Sequence, residues 1–320
     1  MQKFLEIKNL HLGFRKDENF YEAIHGVSFD LKKGELHALV GESGCGKTVT
    51  AMSILKLLPK TAQITQGEII FNGENLLNYS SSKMNKIRGA KIALIPQDPM
   101  TSLNPLYTVG NQILEVLKLH KNLEGTEAEK IAIEAFDLVK IPDAKNRLKS
   151  YPHEFSGGMK QRAIIAMALA CDSEIIIADE PTTALDVTIQ AQIMNILADI
   201  KKEKQTSIIL ITHDLALVHE NADRISVMYA GEIVEEGENK EFFSNPKHPY
   251  TNALLNSLPN TDKGILDTIN GKPPTIEEII SGCKFHPRCK CCQTDICTIN
   301  EPPAKIITPD HFAKCALISD

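Results

Sequence analysis

Apolar and polar positions alternate along residues 4–10 and again along 27–31. A period of two puts successive side chains on opposite faces, so both stretches predict strands of an antiparallel patch. Leu36-His37-Ala38-Leu39-Val40 is a short apolar run that predicts a buried strand. It leads through a glycine-rich stretch into Val49–Leu58, a predicted helix stopped by Pro59. Gly67 to Gly73 reads as a strand closed by an Asn-Gly turn, and Lys91 to Pro96 as a buried strand. From Val109 to Ile141 the apolar spacing turns helical, through Ile113, Val116, Leu117, Ile131, Ile133, Phe136, Leu138 and Val139. A further helix is predicted over Met159–Ala170. Glu174–Ala178 and Ser207–Ile211 are continuous apolar runs, the pattern of central parallel strands covered on both faces. Ile225 to Val234 reads as a hairpin around Ala230-Gly231.

The bulk properties narrow the class. At 320 residues the chain is long enough for about two domains. Hydrophobic residues make up 42% and charged residues 24%, ordinary values for a globular protein, and no apolar run approaches the ~18 residues of a membrane span. A net charge of −6 argues against broad electrostatic binding to nucleic acid. The N-terminus shows no charged-then-apolar signal segment. These features predict a cytosolic protein that reaches any membrane through a partner. Near Asn245 prolines and cysteines become dense and periodicity weakens, which places a domain boundary at about 240–260, with domains of 1–245 and 246–320. Six of the eight cysteines lie between Cys283 and Cys315. In a cytosolic chain such a cluster suggests metal binding before disulfides.

The glycine-rich stretch carries the most specific chemistry. Gly41-Glu42-Ser43-Gly44-Cys45-Gly46-Lys47-Thr48 meets the G-x-x-x-x-G-K-[ST] pattern, between a strand and a helix as a phosphate loop requires. Its glycines let successive amides point at one anion, and the helix start adds partial positive charge. Lys47 is expected to reach the β- and γ-phosphates, and the Thr48 hydroxyl to sit on Mg²⁺. Ile175-Ile176-Ile177-Ala178-Asp179-Glu180 is an apolar strand ending in two carboxylates, where a parallel sheet faces its ligand crevice. Asp179 can hold Mg²⁺ and Glu180 can deprotonate an attacking water. His213 and Gln97 end two further buried strands; His213 could contact a γ-phosphate, and Gln97 could ligate a cation or a water. Phe155-Ser156-Gly157-Gly158-Met159 is a second glycine motif at a helix start, with Ser156 as a good N-cap. Two phosphate-binding ends in one chain suggest that the second serves a nucleotide on a neighbouring molecule.

Taken together and in order, GESGCGKT, Gln97, FSGGM, IIIADE, Ala184-Leu185-Asp186 and His213 closely resemble the ATP-binding subunit of an ABC transporter, over roughly residues 4–240. Pro96–Pro105, Tyr151–Arg162, His248-Pro249-Tyr250-Thr251 through Leu258-Pro259, and Gly282–Cys289 resemble the peptide and nickel importers in particular, above all the oligopeptide or dipeptide ATPase of the "D" type. The resemblance implies an α/β fold: a P-loop NTPase core built on a RecA-like parallel sheet, an antiparallel β subdomain, a helical signature subdomain at about 100–170 and a Cys-rich extension. It implies ATP and Mg²⁺ as ligands. It makes Phe14 the adenine-stacking aromatic, and Gly41, Ser43, Gly44, Cys45, Gly46, Lys47, Thr48 and Val49 the phosphate cradle. It assigns Ser156, Gly157 and Gly158 to the partner's γ-phosphate and Asp186 to the dimer seam. It gives Thr48, Gln97 and Asp179 to Mg²⁺, and Glu180, His213 and Gln97 to catalysis. Phe155 and Met159 replace the Leu and Gln of the commoner signature, a departure typical of the peptide-importer group.

The implied assembly has a second, different ATPase subunit, two transmembrane permeases and an extracytoplasmic peptide-binding protein, at the cytoplasmic face of the membrane. Peptide is the leading substrate class, with nickel, opines and other small solutes as alternatives. A soluble ABC ATPase of DNA repair or translation would show large insertions or tandem halves, and a P-loop kinase would lack the SGG motif; this chain has one of each motif. Family members can carry an iron–sulfur cluster in the extension, and the matching positions are Cys283, Cys289, Cys297 and Cys315, spaced Cys-x5-Cys-x7-Cys-x17-Cys. Four thiolates suit a 4Fe–4S cluster or a structural Zn²⁺, and the spacing is not a usual zinc-ribbon one.

Overall fold

A computed structural model describes residues 3–183, 185–257 and 269–318. Ala184 and the Leu258-Pro259 end of the tail motif lie outside them. The strands run β1 (Lys3–Lys16), β2 (Asn19–Lys32), β3 (Leu36–Val40), β4 (Ala62–Phe71), β5 (Glu74–Asn75), β6 (Ile92–Ile95), β7 (Ile175–Asp179), β8 (Ser207–Thr212), β9 (Arg224–Tyr229), β10 (Glu232–Glu238), β11 (Lys305–Thr308) and β12 (His311–Ala313). They fall into two compact units. One comprises residues 1–32, 36–77 and 212–320; the other comprises 33–35 and 78–211.

In the first unit an antiparallel sheet is ordered β2-β1-β4-β5. The expected strands at 4–10 and 27–31 are there but longer, because β1 and β2 form one continuous hairpin turning at Asp17, whose φ is 54°. Leu5, Ile7, Leu10 and Leu12 are buried along β1, and Ile24, Val27 and Leu31 along β2. Alternation holds within 5–7 and within 10–12, and a register shift between Ile7 and Leu10 brings the second pair back onto the covered face. The second sheet of this unit runs β11-β12-β10-β9-β3. β3 pairs parallel to β9, with His37 opposite Arg224 and Val40 opposite Val227, and all five residues of β3 are buried. β9 and β10 form the predicted hairpin. Its turn puts both Ala230 (φ 44°) and Gly231 (φ 80°) in the left-handed region, the geometry that matches strand twist.

In the second unit β6, β7 and β8 run parallel, with Ile92 opposite Ile175 and Ile175 opposite Ser207. Every residue of β7 and β8 is buried, as continuous apolar runs require. The predicted helix over 109–141 is two helices, Val109–Lys121 and Gly125–Leu138. Asn122 takes a left-handed conformation (φ 54°) that ends the first. Periodicity read through the break because both helices bury one apolar stripe. With Gly157–Ala170 they pack into a helical cluster through Ile113, Leu117, Ala132, Phe136 and Ile165.

The end of the chain is tied into the first unit by buried polar groups. β12 pairs with β10, and His311 Nε2 lies 2.8 Å from Glu235 Oε1, both side chains being fully buried. Glu235 also accepts the amides of Lys247 (2.7 Å) and His248 (2.9 Å). His248 in turn caps the helix Pro249–Asn256, its Nδ1 accepting the Tyr250 amide at 3.0 Å.

Burial lowers the His248 imidazole from its ordinary pKa to about 4. The unfolded chain therefore takes up this proton first. The contribution of His248 is complete above its unfolded pKa of about 6.5 and is lost as pH falls toward 4, in all about 3 kcal/mol. The urea midpoint of the full chain is expected to fall between pH 6.5 and 4. His248→Asn, which keeps a capping oxygen, should flatten that fall when the two pH series are compared.

Candidate functional site

The phosphate loop leaves β3 at Gly41 and enters the helix Lys47–Ile54. The helix is shorter than the expected 49–58 because Lys56 turns left-handed (φ 51°) before Pro59 is reached. Two glycines are dictated by space. A Cβ on Gly41 (φ 152°) would lie 2.2 Å from the Met228 carbonyl oxygen, and one on Gly46 (φ 107°) would lie 2.5 Å from Ile24 Cδ1. Gly44 (φ 81°) meets nothing within 4 Å, so its side of the loop is open. Ser43, Gly44 and Thr48 are exposed, Val49 is half-buried, and Cys45 is buried with its thiol pKa pushed up by desolvation. Lys47 is buried. Its ammonium donates to the carbonyls of Gly41 (2.8 Å) and Glu42 (2.9 Å), so the loop's own backbone holds the cation over the concavity. His213 follows β8 and is exposed, while Asp214 caps the next helix by accepting the amides of Ala216 and Leu217.

Phe14 sits in β1 between Tyr21 of β2 and Ala62 of β4. The groove beside Gly44 is lined instead by Phe20, Tyr21 and His25 of the hairpin and by Ile276 and Glu277 of the C-terminal segment; Phe14 is not among its lining residues. Phe20 is 43% exposed and presents an aromatic face to that groove.

The second unit brings Gln97 and Glu180 together. Gln97 follows β6, and its carboxamide nitrogen donates to Glu180 Oε2 at 3.1 Å; the Thr183 hydroxyl donates to the same oxygen at 2.8 Å. Glu180 has φ 45°, and its amide donates to the Ile211 carbonyl at 2.9 Å. A left-handed glutamate costs on the order of 1 kcal/mol, a strain of the sort found at functional turns. Asp179, one residue earlier at the end of β7, is buried. Ser156 is exposed and caps Gly157–Ala170, its hydroxyl accepting the Met159 amide at 3.3 Å. Gly158 has no room for a side chain, since a Cβ would meet Ile189 Cγ2 at 2.9 Å; Gly157 has more space, its nearest neighbour being Leu185 Cδ2 at 3.7 Å. Asp186 caps the helix Val187–Lys204 by accepting the Ile189 amide at 3.0 Å.

The C-terminal cysteines are all free thiols. Cys283, Cys289, Cys297 and Cys315 line one small cavity, of about 10 Å³, together with Phe285 and His286. Desolvation pushes the thiols of Cys283 and Cys289 up to about 11. Among the described residues no three or more His, Cys, Asp or Glu side chains are grouped so as to hold a metal ion. The four cysteines thus share a cavity without forming a coordination shell.

Sequence reasoning missed how the extension meets the phosphate loop. The Arg288 guanidinium donates two hydrogen bonds to Glu42, at 2.6 Å to Oε2 and 2.8 Å to Oε1. The Glu42 amide donates to the Tyr250 hydroxyl at 2.9 Å. Arg288 and Tyr250 stand inside the two tail motifs already singled out, but no spacing rule pairs residues 208 and 246 positions apart.

The ABC transporter family model matches residues 24–183, and the oligopeptide/dipeptide transporter C-terminal region matches 234–297. The chain is similar to a probable peptide ABC transporter ATP-binding protein of Sinorhizobium fredii, 49% identical and covering 97% of this chain and 94% of that one. It is similar to the dipeptide transport ATP-binding protein DppD of Bacillus subtilis, 48% identical over 99% of this chain and 95% of that one. It is also similar to the oligopeptide transport ATP-binding protein OppD of Escherichia coli, 45% identical over 97% and 92%. Among solved structures it resembles a dimeric ATP-binding cassette in a post-hydrolysis state with ADP and Pi, at TM-score 0.66 and 27% identity over 74% of this chain and 99% of that one.

Gly41→Ala should destabilise the fold by about 2–4 kcal/mol, because backbone, not a flexible side chain, occupies the space a Cβ needs. Denaturant unfolding of the variant against the wild-type chain checks this.

Proposed function

The chain belongs to the ATP-binding subunits of ABC transporters, and from that premise we propose that it hydrolyses ATP to drive uptake of di- or oligopeptides. The single observation that carries the hydrolytic reading is the Glu180 carboxylate at the C-terminal end of β7, held by Gln97 and Thr183 through one oxygen. A carboxylate at the end of a buried strand, its direction set by two donors, is the arrangement of a positioned general base. In this reading Lys47 would bind the β- and γ-phosphates, and Thr48, Asp179 and Gln97 are the residues assigned to Mg²⁺, which would neutralise phosphate charge. The open side of the loop at Gly44 and the aromatic groove of Phe20 and Tyr21 support binding of a nucleotide there, with Phe14 the family's stacking position. His213 contacts the γ-phosphate. Ser156, Gly157 and Gly158 serve the nucleotide of a partner ATPase, and Asp186 lies at the seam with that partner.

The reading extends to the assembly. This subunit pairs with a second, similar ATPase and with two permeases fed by an extracytoplasmic peptide-binding protein. It sits peripherally at the cytoplasmic face; among the described residues no helix is long and apolar enough to cross a membrane. Residues 1–245 form the ATP-binding domain, with its helical part near 100–170, and 246–320 form the extension. Peptide is favoured over nickel or opines by the relatives at 45–49% identity, whose names specify peptide, dipeptide or oligopeptide transport. For the extension, a 4Fe–4S cluster held by Cys283, Cys289, Cys297 and Cys315 is the reading, with Zn²⁺ as the alternative; the shared cavity of the four thiols supports it. Such a group would cross-link a segment poor in apolar periodicity.

Glu180→Gln is expected to lower ATP turnover of the assembled transporter by about 10²–10³-fold while leaving ATP binding in place. Unchanged turnover would remove the general-base assignment. Anaerobic purification should give about four irons per chain with a broad visible absorption that Cys289→Ser abolishes; a colourless, iron-free preparation would remove the cluster.

A further inference from the structure

Glu42, the second residue of the phosphate loop, is held at three points. Its side chain takes the two Arg288 hydrogen bonds at 2.6 and 2.8 Å, its amide donates to Tyr250 at 2.9 Å, and its carbonyl accepts from Lys47 at 2.9 Å. The Arg288 fork is itself fixed. Its Nε donates to the Asn270 carbonyl at 3.0 Å, a terminal nitrogen reaches Gly271 O at 3.4 Å, and the other lies 3.4 Å from the Tyr229 hydroxyl. The side chain is only 6% exposed. Beneath it Tyr229, Tyr250 and Phe285 form an aromatic cluster, with ring centroids 4.6 to 5.2 Å apart. A bidentate, largely buried arginine–carboxylate pair is among the stronger polar contacts a protein makes, and it fixes direction as well as distance.

The third point is the one that changes on binding. A phosphate arriving in the loop competes with the carbonyls of Gly41 and Glu42 for the Lys47 ammonium. An ammonium has three donors, so a phosphate that takes one or more of them weakens the hold of Lys47 on these two carbonyls. The Arg288 and Tyr250 contacts do not involve Lys47 and stay in place.

We propose that Arg288 of the C-terminal extension is a positioning residue for ATP binding, acting through Glu42 to keep the phosphate loop in its binding shape after Lys47 transfers to the nucleotide. The extension is then part of the nucleotide site. This rests on the reading of Gly41–Thr48 as the phosphate loop, and Lys47→Ala tests that reading separately. In the assembled transporter, Arg288→Ala should raise KM for ATP roughly tenfold and leave kcat within about twofold. Arg288→Lys, which keeps the charge but loses the fork, should fall between. Glu42→Gln should raise KM similarly, and the Arg288→Ala/Glu42→Gln double variant should be no worse than the weaker single one, because both remove one interaction. Titration of the full-length subunit with a fluorescent ribose-labelled ATP should show the same order in Kd. If Arg288→Ala does not fold, Arg288→Lys and Glu42→Gln carry the comparison. An unchanged KM and Kd in those variants, with Lys47→Ala abolishing binding, would overturn the clamp. So would additive losses in the double variant. Undiminished ATP binding by Lys47→Ala would overturn the loop reading and the clamp with it.

Discussion

The space beside Met228 is the constraint on which the first unit is built. Its carbonyl lies so close to Gly41 that only a glycine can pass, while Gly46 faces the side-chain ends of Ile24 and Met228 and is favoured as glycine by its φ of 107°. These contacts come from β9 and β2, so the loop takes its shape from strands far away in sequence. The loop in turn fixes where its neighbours attach. Cys45 accepts the Gly231 amide at 3.0 Å, Lys47 folds back on the carbonyls, and Glu42 is left pointing at Arg288. An anion cradle of this type depends on a backbone already in shape, and the surrounding strands leave this loop little room for another path.

Much of this was legible because it is local. Continuous apolar runs found β7 and β8, the Ala230-Gly231 turn found a hairpin, and the glycine-rich motif placed the phosphate loop between a strand and a helix. Where local signals misled, tertiary geometry had intervened. Asn122 breaks a helix whose apolar stripe continues on the far side, and the β1–β2 hairpin runs well beyond its alternating core. In the site, motif order identified Gln97 and Glu180 as separate strand ends, but their direct hydrogen bond depends on β6 and β7 being neighbours. The groove beside Gly44 is lined by Phe20 and Tyr21 because the hairpin turns at Asp17, which composition cannot place. The Arg288–Glu42 pair is longer in range still and left no pattern in the sequence.

Function in the two units is carried differently. In the first, backbone does most of the work: amides, carbonyls and left-handed glycines make a shape. In the second, the candidate groups are side chains at strand ends and helix caps. Glu180 shows how the two kinds of demand meet at one residue. Its left-handed backbone is tied to Ile211 while its carboxylate is tied to Gln97 and Thr183, so its direction is set twice over. A carboxylate so constrained has little orientational entropy left to lose.

The contact between His311 and Glu235 carries a consequence for how the end of the chain can change. Glu235 is wholly buried, and its carboxylate gathers an imidazole from β12 and two amides from the segment after β10. A shortened relative lacking β12 would keep the carboxylate and lose the imidazole beside it. The two amides would still hold the carboxylate, which would have one buried partner fewer. The extension and the strand that it covers are therefore coupled through one buried side chain, and a change in either is felt by the other.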